Sequence, residues 1–152
     1  MPNALDDDRM QRVLECCKSL CRCDAAEASD LIAGSDAVKA AKGYYASTSQ
    51  KTSIEQIATK YGRQAVVVSL DPRRVWLADN EGAPSGVDGA PAPLVVTHAT
   101  ARGPSGESRC WWRATTSGGR TDEPICAVAV AVAAAALGAG EFMVNCIDCD
   151  GK

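Results

Sequence analysis

Asp71 follows a run rich in β-branched and apolar residues, Gln64-Ala-Val-Val-Val-Ser-Leu, and precedes Pro72, whose ring fixes the backbone as it leaves. A carboxylate at the end of a buried strand is partly desolvated and rigidly aimed, which suits a general acid or base. The plain alternative is a loop aspartate that caps a turn. Gly34-Ser35-Asp36 closes a second apolar run, Ala28 to Ala33, and opens a helix. At such a junction backbone N–H groups and a hydroxyl can hold an anion such as phosphate. The same residue types also serve as an ordinary helix N-cap.

The eight cysteines carry a different potential chemistry. A structural zinc site needs two paired clusters. Cys21-x-Cys23 has the wrong spacing, Cys146-x-x-Cys149 is a single knuckle, and the one histidine, His98, stands in a Thr-rich, strand-like run. The N-terminus, Met-Pro-Asn-Ala-Leu-Asp-Asp-Asp, carries acid and no apolar stretch where a secretory signal would carry base and then apolar residues. Reduced thiols, behaving as small buried hydrophobes, are therefore expected, in a cytoplasmic protein, or a plastid one if a longer precursor exists. Asp148-Cys149-Asp150-Gly151 looks like a piece of a calcium loop but lacks the other ligands and the closing Glu. No metal and no cofactor are expected.

These groups need elements to position them. Met10, Val13, Leu14, Cys17, Leu20 and Cys21 recur at helical spacing within Arg9 to Cys23. Ala28 to Ala33 reads as a strand feeding a loop and a helix. Thr52, with Glu55 three positions on, starts another helix that stops at Gly62. The β-branched run from Gln64 to Asp71 suits a strand buried on both faces, as in parallel sheets under helices. Arg74 to Ala78 and Leu94 to Thr97 read as short strands around a Gly/Pro-rich loop, and Cys110 to Thr116 as another that closes at Gly118-Gly119. Asp122 to Leu137 reads as an alanine-rich helix and Glu141 to Ile147 as a final buried strand. This alternation signals βαβ units, with Ser35, Asp71 and Asp148 brought to one sheet edge where open α/β sheets and (β/α)8 barrels keep their sites.

Composition excludes several functions. With 16 basic and 19 acidic residues and no basic cluster longer than Arg73-Arg74, the chain lacks the footprint of a nucleic-acid binder. The apolar stretch Ile125 to Ala139 falls short of the roughly 20 residues that span a bilayer, so no membrane partner is expected. With aromatics at 5%, Ala and Val must fill the interior.

Ser53 to Val75, Cys110-Trp-Trp-Arg-Ala-Thr-Thr-Ser-Gly-Gly-Arg120 and Leu137 to Gly151 together resemble the cyclase part of imidazole glycerol phosphate synthase, most strongly its fused glutaminase–cyclase form in eukaryotes. The resemblance covers about Ala28 to the end, which divides the chain into residues 1–27, a poorly matched helical segment, and residues 28–152, a cyclase domain. It implies a partial (β/α)8 TIM-barrel in an α/β fold, about strands four to six, with a β-hairpin insertion after the fifth. It further implies histidine biosynthesis: a lyase that uses ammonia from a glutaminase domain or subunit to close an imidazole ring. The substrate is a bis-phosphorylated formimino-aminoimidazole carboxamide ribonucleotide. The products are imidazole glycerol phosphate and an aminoimidazole carboxamide ribotide. Asp71 then becomes the fifth-strand catalytic aspartate. Gly34 and Ser35 become substrate-phosphate contacts, Asn145 and Asp150 substrate contacts, and Glu141 the ammonia-gate position.

The chain also departs from the family. A full barrel runs to about 250 residues, and the family's first-strand aspartate and second phosphate site have no counterpart here. Where the family has Gly-Ala-Asp-Lys entering the fourth strand, this chain reads Glu27-Ala28-Ser29-Asp30, so an acid faces the acid at Glu141. The alanine-rich helix lacks the polar face of an outer barrel helix. A fragment of the cyclase, inactive alone for want of a second carboxylate, is the expected state. The alternatives are a non-enzymatic module that binds a phosphate ligand at Ser35 and Asn145, and a half-barrel that self-associates through open sheet edges.

Overall fold

The computed structural model of the chain describes residues 30–32 and 34–149. The helix expected over Arg9 to Cys23, the rest of residues 1–27 and Asp150 lie outside the described residues. In chain order the elements are β1 (Asp30–Ile32), α1 (Gly34–Tyr45), α2 (Ser53–Tyr61), β2 (Val66–Leu70), β3 (Arg73–Leu77), β4 (Val96–Thr97), β5 (Arg109–Thr116), β6 (Thr121–Cys126), α3 (Ala127–Leu137) and β7 (Glu141–Val144). Short 3-10 turns occupy Arg63–Ala65 and Ile147–Cys149.

β2 is the centre of a parallel sheet of order β1-β2-β7, with Leu31 opposite Val67 on one side and Leu70 opposite Val144 on the other. Its β-branched side chains stiffen the extended backbone, and the structure trims the expected strand at both ends. One face, Val66, Val68 and Leu70, is buried. The opposite face is open: Val67 and Ser69 are half-buried, and Glu141 and Met143 beside them on β7 are exposed. Burial on both faces, as the run suggested, is therefore not met among the described residues.

The buried face packs under α1 and α3 in one core that also takes Ile54 of α2. Ala37, Ala40 and Ala41 of α1 and Ala129, Ala133 and Ala134 of α3 are all buried, and the two helices are in contact. Methyl-sized side chains let the helix backbones approach closely, and Tyr45 Oη donates across the contact to the Ala129 carbonyl at 2.9 Å. This explains the alanine-rich composition of α3, which is covered on several sides and has no need of a polar face. α2 opens on the expected capping box. The Glu55 N–H donates to Thr52 Oγ1 at 3.2 Å and the Thr52 N–H to Glu55 Oε2 at 2.8 Å, and the helix ends at Gly62.

The excursion after β2 is larger than the hairpin expected. β3, β4 and β6 all pair antiparallel with β5, giving a four-stranded sheet. The helix expected from Asp122 starts only at Ala127, because Thr121–Cys126 is the strand β6. The cause is the reversal at Ser117, Gly118 and Gly119, all with positive φ (56°, 64° and 78°). It returns the chain along β5, pairing Thr121 with Thr116. Pro124 has no N–H to donate and lies where the β5–β6 register shifts. β7 likewise ends at Val144, and the residues expected to extend it curl into the turn Ile147–Cys149. The described residues are thus α/β, with one parallel and one antiparallel sheet, and their strands do not close into a barrel.

Candidate active site at the ends of the parallel strands

The three parallel strands end side by side, and the segments leaving β2 and β7 are tied to each other. The Asn145 N–H, past β7, donates to the Leu70 carbonyl at 2.9 Å, and the Ile147 N–H to the Pro72 carbonyl at 3.2 Å. Asp148 reaches the same corner: its Oδ2 accepts the Arg74 N–H at 2.5 Å. The turn after β7 is thereby laced to the Asp71-Pro72 exit of β2.

Asp71 is half-buried. Its carbonyl accepts a hydrogen bond from Thr115 Oγ1 at 2.5 Å, and Thr115 is 2% exposed, so the peptide is anchored from beneath by β5. The side chain turns toward the start of α1. A β-carbon placed on Gly34 would stand 3.9 Å from Asp71 Oδ2 and 3.1 Å from the Ser69 carbonyl. Gly34 is therefore the residue that lets the first turn of α1 come against the end of β2. Ser35, the next residue, is exposed, and its Oγ accepts the Ser117 N–H at 3.2 Å.

The antiparallel sheet folds back to complete this rim. Its β5–β6 reversal touches Ser35 through Ser117, while Gly119 packs on Ile147 so tightly that a β-carbon there would lie 2.7 Å from Ile147 Cδ1. One tip thus touches the segments after β1 and after β7. It is held by Asp122, which pairs with Arg73 at 2.6 Å and Arg113 at 2.8 Å. Glu123 pairs with Lys42 of α1 at 2.5 Å and accepts from Thr116 Oγ1 at 2.8 Å. The Lys42 hydrogen bond holds the Glu123 carboxyl below its ordinary value, against an opposing push from burial.

Of the residues singled out in the sequence, Gly34, Ser35, Asp71, Asn145 and Asp148 come together here. Glu141 does not. It is exposed and pairs with Val67 at the other end of the sheet, roughly 13 Å of strand away from Asp71. Asp30 pairs with Val66, so the two acidic positions flank β2 at that far end. Thr115, Ser117 and Arg74 also build the rim and were not anticipated. Only Gly118-Gly119 marked the reversal that carries Ser117. Cys126 serves as the N-cap of α3, its Sγ accepting the Ala129 N–H at 3.2 Å. Burial raises the Cys110 and Cys126 thiols above their ordinary values. Among the described residues no cluster of three His, Cys, Asp or Glu could hold a metal ion, and no helix is long and apolar enough to cross a membrane.

A half-buried carboxylate beside a helix N-terminus can move a proton on a ligand whose anionic group the N–H donors hold. Comparison with known proteins gives this arrangement a context. The family model described as "Histidine biosynthesis protein" matches residues 25–152. The chloroplastic imidazole glycerol phosphate synthase hisHF of Arabidopsis thaliana is 46% identical over 121 residues, covering 78% of this chain and 19% of that protein. The Schizosaccharomyces pombe hisHF is 41% identical over 122 residues, 78% of this chain and 21% of that protein. The subunit HisF of Haloarcula marismortui is 35% identical over 121 residues, 80% of this chain and 36% of that protein. The chain spans about a fifth of the length of the two hisHF relatives.

Proposed function

The chain belongs to the histidine biosynthesis protein family, and from that membership we propose that residues 28–152 form part of the cyclase of an imidazole glycerol phosphate synthase. The observation that carries the proposal is the position of the Asp71 carboxylate, at the end of the central parallel strand and turned toward Gly34. In this reading Asp71 is the proton-transfer group in the ammonia-dependent closure of the imidazole ring. Gly34 and Ser35 present the α1 N-terminus to one substrate phosphate. Asn145 and Asp150 contact the rest of the ribonucleotide, and Glu141 belongs to the ammonia entrance at the opposite end, facing a glutaminase.

β1, β2 and β7 then correspond to the fourth, fifth and sixth strands of a (β/α)8 barrel, and the antiparallel sheet to the excursion after the fifth. The open face of the parallel sheet supports this. Val67 and Met143 lie there without a covering layer among the described residues, which is the situation of side chains that point into a barrel interior. The outer edges of β1 and β7 would take up the remaining strands, or a second copy. In this reading the family's second proton-transfer carboxylate has no assigned counterpart among the described residues. The chloroplastic name of the Arabidopsis thaliana relative makes the plastid a place of action to test beside the cytoplasm.

The test is a chimera: residues 25–152 replace the corresponding segment of the Schizosaccharomyces pombe relative in cells lacking that enzyme and starved of histidine. Growth is expected from the chimera and no growth from its Asp71→Asn form. Equal growth of both would overturn the assignment of Asp71.

A further inference from the structure

Cys146 and Cys149 stand at the rim of the site, and the reaction proposed above uses neither. They bracket the 3-10 turn Ile147–Cys149, closed by a 2.9 Å hydrogen bond from the Cys149 N–H to the Cys146 carbonyl. A turn so closed keeps its end α-carbons within about 7 Å, and a disulfide needs roughly 4.4–6.8 Å. Both cysteines therefore lie on one short, hydrogen-bonded turn. Access differs: Cys149 is exposed and Cys146 half-buried, whereas Cys110 and Cys126 are buried. Asp148, between the two, accepts the Arg74 N–H and lies 4.0 Å from the Cys146 sulfur.

We propose that Cys146 and Cys149 form a redox-modified dithiol that closes into a disulfide at the rim of the site, with a peroxide as oxidant. The Cys149 sulfur, open to solvent, attacks the peroxide, whose O–O bond breaks. One oxygen stays on sulfur as a sulfenic acid and the other leaves as water. The Cys146 sulfur then attacks the Cys149 sulfur. An S–S bond forms, the S–O bond breaks, and the departing hydroxide takes the Cys146 proton as a second water. Two thiols lose two electrons in all and one peroxide becomes two waters. Burial and the neighbouring Cys149 thiol and Asp148 carboxylate hold the Cys146 thiol above its ordinary value, which fits its role as the resolving partner. A dithiol reductant reverses the closure. The geometry stands independently of the cyclase reading.

The experiment treats the purified full chain with hydrogen peroxide, alkylates the remaining thiols and digests with trypsin. The peptide Thr121 to Lys152 holds Cys126, Cys146 and Cys149 and no internal cleavage site. The expected product is that peptide alkylated once, at Cys126, with an internal disulfide that dithiothreitol removes. In Cys146→Ser, dimedone is expected to trap a sulfenic acid on Cys149. In Cys149→Ser, Cys146 is expected to stay alkylatable. Cys146 and Cys149 both still alkylatable after buried Cys110 has been oxidised, or either one bonded to another cysteine instead, would overturn the proposal. Chimera growth tests the cyclase reading separately, so either can fail alone.

Discussion

The Asp71 carboxylate and the α-carbon of Gly34 face each other across the ends of two adjacent parallel strands, close enough that a β-carbon on Gly34 would meet Asp71 Oδ2 at 3.9 Å and the Ser69 carbonyl at 3.1 Å. Gly34→Ala is therefore tight but tolerable, because the clash is a few tenths of an ångström. Stability should fall by no more than about 1 kcal/mol, in line with ordinary point changes. Activity of the chimera should fall at least tenfold, since the methyl group intrudes where substrate and carboxylate must meet. Urea unfolding and histidine-free growth separate the two effects, and unchanged growth would contradict the placement.

Asp71 and Thr115 should separate function from stability. Asp71→Asn keeps the shape and the backbone bond to Thr115, so unfolding should shift by about 1 kcal/mol or less, while activity falls roughly 10²–10⁴-fold with the acid–base group. Thr115→Val removes the hydroxyl that donates to the Asp71 carbonyl. The cost is about 1–3 kcal/mol for the stranded group, read as a lower urea midpoint.

The Lys42–Glu123 pair ties the antiparallel sheet to α1. Because Glu123 titrates lower in the folded chain, its contribution is present above the ordinary carboxylate value near 4.3 and is lost as pH falls through the depressed one. The pair is partly exposed, so the contribution is about 1 kcal/mol or less. The stability difference between the wild type and Glu123→Gln should therefore shrink below about pH 4. A constant difference from pH 7 to 3 would show that the pair contributes nothing.

Gly140 is a packing requirement at the entry to β7. A β-carbon there would lie 2.2 Å from the Arg63 carbonyl and 3.1 Å from the Gln64 α-carbon. Both are backbone atoms that cannot swing aside, and the Gly140 N–H already donates to the Val66 carbonyl. Gly140→Ala should cost more than about 2 kcal/mol, among the larger single-residue effects, and thermal unfolding would show it. Gly82, with open space around it, is the control.

The sequence alone determined the elements whose causes are local. The Thr52–Glu55 cap, the stop at Gly62, the β-branched run before Asp71 and the Gly138 terminus each follow from a few neighbouring residues. Asp71 was recognisable for the same reason, standing between an apolar strand and a proline. Tertiary structure decided what depended on distant partners. Asp122 to Cys126 reads as the start of the alanine-rich helix, yet Thr121–Cys126 is a strand because β5 offers it an edge once three positive-φ residues reverse the chain. Thr115 and Ser117 are ordinary in sequence and matter only because folding lays β5 beneath Asp71 and its tip against Ser35. Local propensity is written residue by residue, whereas a rim shared by four strands exists only after long-range pairing has brought them together.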